Sequence, residues 1–241
     1  MARREYGFVF DGEPVFEHVR RDVPVPPERK LEDDVFVYVM GPYTAFDATR
    51  AYSDAGELAS PFIEDPLFDP DRHVTDDGRG SFEAALDELC GTLRAEFGVR
   101  AFLATDVEIP TDRASDDDEP SLSVLDQSVA FAAVSDAVVF VFTRAGLTTG
   151  AGAEVGAILG EFHLRRANPE PVRKPRERVR VFAHEGFSSA SIDEIPATYG
   201  VDAMPFDEKA DLVRKIQQFL VNVERTDPDR TLPIFEPYTE S

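Results

Sequence analysis

The chain has 241 residues, 42% of them hydrophobic, and carries 47 Asp and Glu against 25 Lys and Arg, a formal net charge of -22. Such a carboxylate surplus excludes a general nucleic-acid binder, because counterion release needs clustered cations facing phosphate, and no run of about 18 apolar residues offers a membrane-spanning helix. The lone cysteine, Cys90, excludes an internal disulfide framework and a cysteine-based zinc site.

Residues 1–33 read as an N-terminal arm and linker. Phe8-Val9-Phe10 and Val15-Phe16 flank Asp11-Gly12-Glu13-Pro14, whose Asp-Gly suits a tight hairpin turn. Val23-Pro24-Val25-Pro26-Pro27 is a stiff, extended connection. Residues 34–225 read as a single α/β domain. It opens with Val35-Phe36-Val37-Tyr38-Val39-Met40, a continuous apolar run ended by Gly41-Pro42, which predicts a strand buried on both faces. Residues 45–80 are proline-containing and weakly periodic, as in an insertion or lid. Ser81 is placed to cap a helix whose Phe82, Leu86, Leu89, Leu93 and Phe97 share one face, with Cys90 on or beside it.

Ala101-Phe102-Leu103-Ala104 is a second short strand, residues 106–121 an acidic loop, and Leu122, Leu125, Val129 and Ala132 mark a second helix. Ala137 to Phe142 is the most β-rich stretch and the third strand. A third helix begins near Gly150 and buries Val155, Ile158, Leu159 and Phe162. Residues 164–177 are a loop rich in arginine and proline. Val179, Val181 and Ala183 alternate with Arg178, Arg180 and Phe182, which predicts a strand nearer the sheet edge. Asp207 stands where it can cap a last helix with Leu212, Ile216, Phe219, Leu220 and Val223 on one face. Residues 226–241 form a C-terminal tail whose Ile234, Phe235 and Tyr238 pack on this subunit or on a neighbour, so a homo-oligomer is open.

Strand followed by helix, repeated about four times, predicts an α/β fold: a doubly wound, mainly parallel, flavodoxin- or Rossmann-like sheet with helices on both faces. The acidity is then solvation. A carboxylate-coated surface suits molar salt, where the Debye length is about 3 Å and self-repulsion is screened. The expectation is a cytoplasmic protein of a halophile. The arginines at Arg3 and Arg4 precede no apolar segment, so no secretory signal is expected.

Ligands of open parallel sheets bind beyond the carboxyl ends of the strands, where strand order reverses. In a flavodoxin-like order the first and third strands meet there. Their loops, Gly41-Pro42-Tyr43-Thr44 and Thr143 to Gly152, are also the segments of oddest composition. Each glycine inside a helix costs roughly 1 kcal/mol. Close packing on the sheet is the plain reason for Gly156 and Gly160. Gly150 and Gly152 stand at the helix start, where backbone approaches a ligand and amide N–H groups are free. The spacing of Gly150, Gly152 and Gly156 lacks a following ribose-binding acid, and Glu154 would repel a pyrophosphate. A carboxylate there suits a neutral or developing-cation partner, such as an anomeric carbon, and the helix N-terminal field is expected to keep it ionised. The alternative is an ordinary first-turn glutamate.

Three segments carry a resemblance: Val37-Tyr38-Val39-Met40-Gly41-Pro42-Tyr43, Ser135-Asp136-Ala137-Val138-Val139, and Gly150-Ala151-Gly152-Ala153-Glu154-Val155-Gly156. Together they resemble the nucleoside 2-deoxyribosyltransferase-like superfamily, as a divergent haloarchaeal-type member, in islands across residues 35–160. The resemblance implies an N-glycosidase or glycosyltransferase whose Glu154 is the nucleophile that captures the sugar carbon. It implies Asp126 on the side of the departing base, with a plain helix carboxylate as the alternative. Gly41, Pro42, Tyr43, Thr148, Gly150 and Gly152 would line the substrate, Tyr43 by stacking. Where Thr148 stands the family's transferases usually carry an aspartate. A neutral hydroxyl there leaves open a hydrolase, another glycosyl substrate, or a pocket that binds without turnover. The implied partner is a small nucleoside or nucleotide, with no cofactor and no metal. The rivals are a non-catalytic nucleotide-binding or interaction module and an NAD-cleaving glycohydrolase.

His18, His73, His163 and His184 lack ligand spacing, and Asp116-Asp117-Asp118-Glu119 reads as a solvated loop. Arg165, Arg166, Arg173, Arg176, Arg178 and Arg180 concentrate positive charge, as an intersubunit or anion patch or as a network with surface acids.

Overall fold

A tight hairpin opens the described chain. The computed structural model describes residues 8–27, 34–42, 45–47, 65–76, 79–112, 120–143, 149–162, 164, 166, 174–187 and 189–225. Strand β1 (Val9–Phe10) pairs antiparallel with β2 (Glu13–Pro14). Asp11 at φ 46° and Gly12 at φ 80° make the turn, the left-handed pair that Asp-Gly supplies at least cost. Val15 and Phe16, expected to extend the hairpin, instead begin α1 (Val15–Asp22). Pro14 has no N–H to continue a ladder, and its fixed φ suits a helix start. Val15, Val19 and Val23, four residues apart, face inward, so the N-terminal segment joins the core through α1.

Strand β3 (Phe36–Met40) follows, then the antiparallel pair β4 (Ala45–Asp47) and β5 (Arg79–Ser81) with α2 (Pro70–His73) between them. The chain continues through α3 (Phe82–Phe97), β6 (Arg100–Phe102), α4 (Val124–Val134), β7 (Ala137–Phe142), α5 (Thr149–Glu161) and β8 (Val179–His184). It ends with α6 (Ala190–Asp193), α7 (Ile195–Tyr199), β9 (Ala203–Phe206) and α8 (Lys209–Arg225). The central sheet has the order β6-β3-β7-β8-β9, and every neighbouring pair is parallel.

All of β3 and all of β7 are buried, which is why both read as unbroken apolar runs. Tyr38, Phe102, Phe140 and Val181 face one core layer with residues of α1, α4 and α5. Val39, Val141, Phe182 and Phe206 face a second layer with residues of α3 and α8. The stripes predicted for α3, α5 and α8 are all buried. At the N-terminal edge of the sheet Asp136 ties β7 to β3: its Oδ2 accepts from the Phe36 N–H and its own N–H donates to the Phe36 carbonyl, both at 2.8 Å. The buried Lys174 ammonium closes the last turn of α4, donating to the carbonyls of Ala132 (2.8 Å), Ala133 (3.4 Å) and Ser135 (2.7 Å), where a cation meets the negative end of the helix.

Beyond α1, the structure departs from the sequence reading at the sheet edge and in α4. A fifth strand, β9, is present; it is four residues long and carries Pro205, which a sheet tolerates at its edge. β8 therefore lies inside the sheet, and Phe182, on the side expected to face out, is buried edge-on to Phe219 at 6.4 Å. Leu125, expected in the buried stripe of α4, is 43% exposed. That helix buries every residue from Gln127 to Val134, so no single stripe marks its phase. Among the described residues no helix is long and apolar enough to cross a membrane. The tail from 226 and the acidic run at 116–119 lie outside the described residues.

Candidate functional site

From β3 the chain crosses first to β6 on one side and later to β7 on the other, so the strand order reverses between β3 and β7, where open α/β sheets hold ligands. Gly41 and Pro42, buried at the carboxyl end of β3, line this point. A Cβ on Gly41 would come within 2.9 Å of the Leu86 side chain and 3.1 Å of the Val141 carbonyl. A larger residue there would have to displace the Leu86 side chain and crowd the Val141 carbonyl, so glycine suits this close exit between α3 and β7. Gly150 lies in the first turn of α5 and Gly152 follows on its exposed side. Tyr43 and Thr148 lie outside the described residues.

Glu154 projects from the second turn of α5 and is half-buried. It has neither a hydrogen bond nor an ion pair among the described residues. Burial lifts its carboxyl from the ordinary 4.5 to about 7. The expected helix-field stabilisation of the anion does not prevail, because that field fades beyond the first turn and no donor or cation among the described residues offsets the loss of water.

Beneath it lies a residue that the sequence reading did not single out for chemistry. Tyr38, fully buried in mid-β3, stacks on Phe102 at 5.2 Å and meets Phe131 edge-on at 5.8 Å. Burial raises its phenol well above the usual range, the buried Ser128 hydroxyl of α4 opposes that rise, and the charge of Glu154 adds to it. Ser128 approaches without completing a hydrogen bond, so the Tyr38 hydroxyl stays unsatisfied. Strands and helices thus bring Tyr38, Ser128 and Glu154 into one electrostatic neighbourhood. In the sequence, the only hint was a hydroxyl inside an otherwise apolar strand run.

Asp126 sits differently. Ser123 caps α4 by accepting from the Asp126 N–H at 3.1 Å, and its hydroxyl donates to Asp126 Oδ2 at 2.7 Å. The side chain is exposed, and a position two residues from Ser128 points to another face of the helix. The close-packing explanation for the α5 glycines is overturned at Gly156 and Gly160. Both are exposed, as is Gly152, and a Cβ on any of the three would meet open space.

Two arginines of the basic run are used within the fold. Arg176 donates to the carbonyls of Tyr199 at 2.7 Å and Leu164 at 3.0 Å, and Arg180 pairs with Asp202 while lying 5.3 Å from the Phe219 ring centroid. His73 accepts from the Asp69 N–H at 2.9 Å through Nδ1 and thereby presents its Nε2 proton to Glu88 at 2.8 Å. Glu88 also receives Arg72 and Lys209, which pins residues 69–73 to α3 and α8. Among the described residues no group of three His, Cys, Asp or Glu side chains is arranged to hold a metal ion.

Residues 22–236 match the family described as a domain of unknown function, DUF7509. No curated protein and no solved structure matches the chain.

Proposed function

The chain belongs to the DUF7509 family, and from that premise we propose that it cleaves or transfers the N-glycosidic bond of a nucleoside or nucleotide, with Glu154 as the nucleophile. One observation carries the reading: a half-buried carboxyl beside the strand-order reversal, unpaired among the described residues and lifted by burial to about 7. A carboxylate without a cation is free to meet the positive character that grows on the anomeric carbon. Its high affinity for a proton also makes it a better nucleophile than an exposed glutamate once ionised. The likeness of the three sequence islands to the nucleoside 2-deoxyribosyltransferase-like superfamily supports the same assignment. So does the five-stranded parallel sheet flanked by helices, which we take to be doubly wound with right-handed crossovers.

In the proposed reaction the Glu154 carboxylate bonds to the anomeric carbon as the carbon–nitrogen bond breaks. The electron pair leaves with the base, which takes a proton from water. Asp126, exposed on another face of α4 with Oδ2 held by Ser123, stays outside this constellation. Tyr38, whose hydroxyl is unsatisfied and whose phenol feels the Glu154 charge, turns that hydroxyl to the Glu154 carboxyl when substrate is bound. Gly41 and Pro42 form the floor, and Gly150 and Gly152 the wall. Water or a second base then releases the sugar. The setting is the cytoplasm of a salt-loaded cell.

A non-catalytic binding module is the second reading, favoured by the neutral Thr148 where the superfamily's transferases carry a carboxylate. One experiment separates the two. The protein is incubated in molar KCl with nucleosides, nucleotides and NAD, and free base is followed by chromatography beside Glu154→Gln. Release that the substitution abolishes supports the nucleophile; release that survives it removes Glu154 from the mechanism. Binding without release favours the module.

A further inference from the structure

The basic run between α5 and β8 holds two arginines that answer to no acid. Most arginines with described side chains meet a carboxylate, as Arg21 meets Glu13, Arg72 meets Glu88, Arg100 meets Asp34 and Arg180 meets Asp202. Arg166 and Arg176 meet none among the described residues. In a chain with 47 acids and 25 bases, a cation without one is the exception. These two also stand together. A Cβ built on Gly200 would lie 2.9 Å from Arg166 Nε, 3.3 Å from Arg166 Nη2 and 3.2 Å from Arg176 Cδ. Gly200, at the left-handed end of α7 with φ 71°, lets both side chains close on one point.

Both arginines are anchored, and both have donors to spare. The Arg166 N–H donates to the Thr198 carbonyl at 2.9 Å, while its exposed guanidinium donates to no described residue. Arg176 commits Nε to the Tyr199 carbonyl and Nη2 to the Leu164 carbonyl, which leaves its Nη1 hydrogens without an acceptor among the described residues. The nearby charges do not fill the gap. Asp202 is taken by Arg180, Arg178 has partners of its own, and Glu177 and Glu194 are exposed and pair with neither arginine. Two guanidinium forks fixed side by side match an anion that carries two charges on several oxygens. Ordering them in advance removes part of the cost of binding.

We propose that Arg166 and Arg176 form a binding site for a doubly charged oxyanion of the phosphate or sulfate type, at the amino end of the sheet. Nearly the length of α5 separates Glu154 from Leu164, about 15 Å at the helical rise per residue. The site therefore stands apart from Glu154 and does not depend on the reaction assigned to it.

The test titrates inorganic phosphate into the full chain at pH 8 in molar KCl and follows it by phosphorus NMR. Saturable binding with a Kd of about 1–10 mM is expected, and sulfate should displace the phosphate. Arg166→Gln should weaken binding about fivefold or more and leave the melting temperature unchanged, since the side chain it shortens holds nothing described in the fold. A response that rises without saturating would mean an adventitious ion only and would overturn the site, as would equal affinity in Arg166→Gln. Sedimentation in the same buffer examines the rival occupant. A dimer that Arg166→Gln dissociates, with no phosphate bound, would assign the pair to a carboxylate of a second copy and overturn the oxyanion site.

Discussion

Glu154→Gln should stabilise the protein, and only above a particular pH. The folded carboxyl keeps its proton up to about 7, whereas the ordinary value is 4.5. Between those values the native state binds a proton that the unfolded chain has lost, so native stability falls as pH rises through the window. At about 1.4 kcal/mol per tenfold, the difference amounts to about 3 kcal/mol. The side chain keeps part of its surface in water, and screening reduces this to about 2 kcal/mol. Glutamine has the same shape and no charge to desolvate. The variant should therefore melt with the wild type at pH 4 and exceed it by about 4–8 °C at pH 8. Circular-dichroism melts in molar KCl between pH 4 and 8.5 measure the gap. A gap that is absent at pH 8, or the same at every pH, would refute the claim that burial governs this carboxyl.

Replacing Gly152, Gly156 and Gly160 singly by alanine should raise stability by about 0.5–1 kcal/mol each, because each Cβ enters open space; a loss in denaturant melts would mean that this face is packed. Lys174→Met keeps the apolar stem but abandons three carbonyls at the end of α4, and urea titration should show a loss of about 2–4 kcal/mol. If Glu154 attacks as an anion, kcat/KM for base release should climb with pH and level off above an apparent value near 7; a profile falling through that range would make the carboxyl an acid instead.

How much of this was legible in the sequence depended on whether a signal was local. β3 and β7 are buried on both sides, so their apolar runs announced themselves. Helices α3, α5 and α8 each bury one stripe, and spacing revealed them. β9 is short, interrupted by Pro205 and only partly buried, so nothing local marked it as a strand. α1 hid behind the better-known turn signal at Asp11-Gly12. The position of Glu154 was readable from the glycines around it, but its electrostatics were not. Its affinity for a proton comes from α5 lying over the sheet, and the unsatisfied hydroxyl of Tyr38 acquires meaning only when α4 brings Ser128 over it. The glycines misled in part: close packing was the plain reason for Gly156 and Gly160, whereas both face outward.

The most direct trial of the account is to catch the sugar on the protein. Turnover of a nucleoside that the wild-type protein cleaves is stopped with acid, and the protein is weighed and peptide-mapped by mass spectrometry. The account predicts a pentosyl ester on the peptide containing Glu154 that is missing from Glu154→Gln. An ester on another residue, or base release with no ester at any time point, would contradict it.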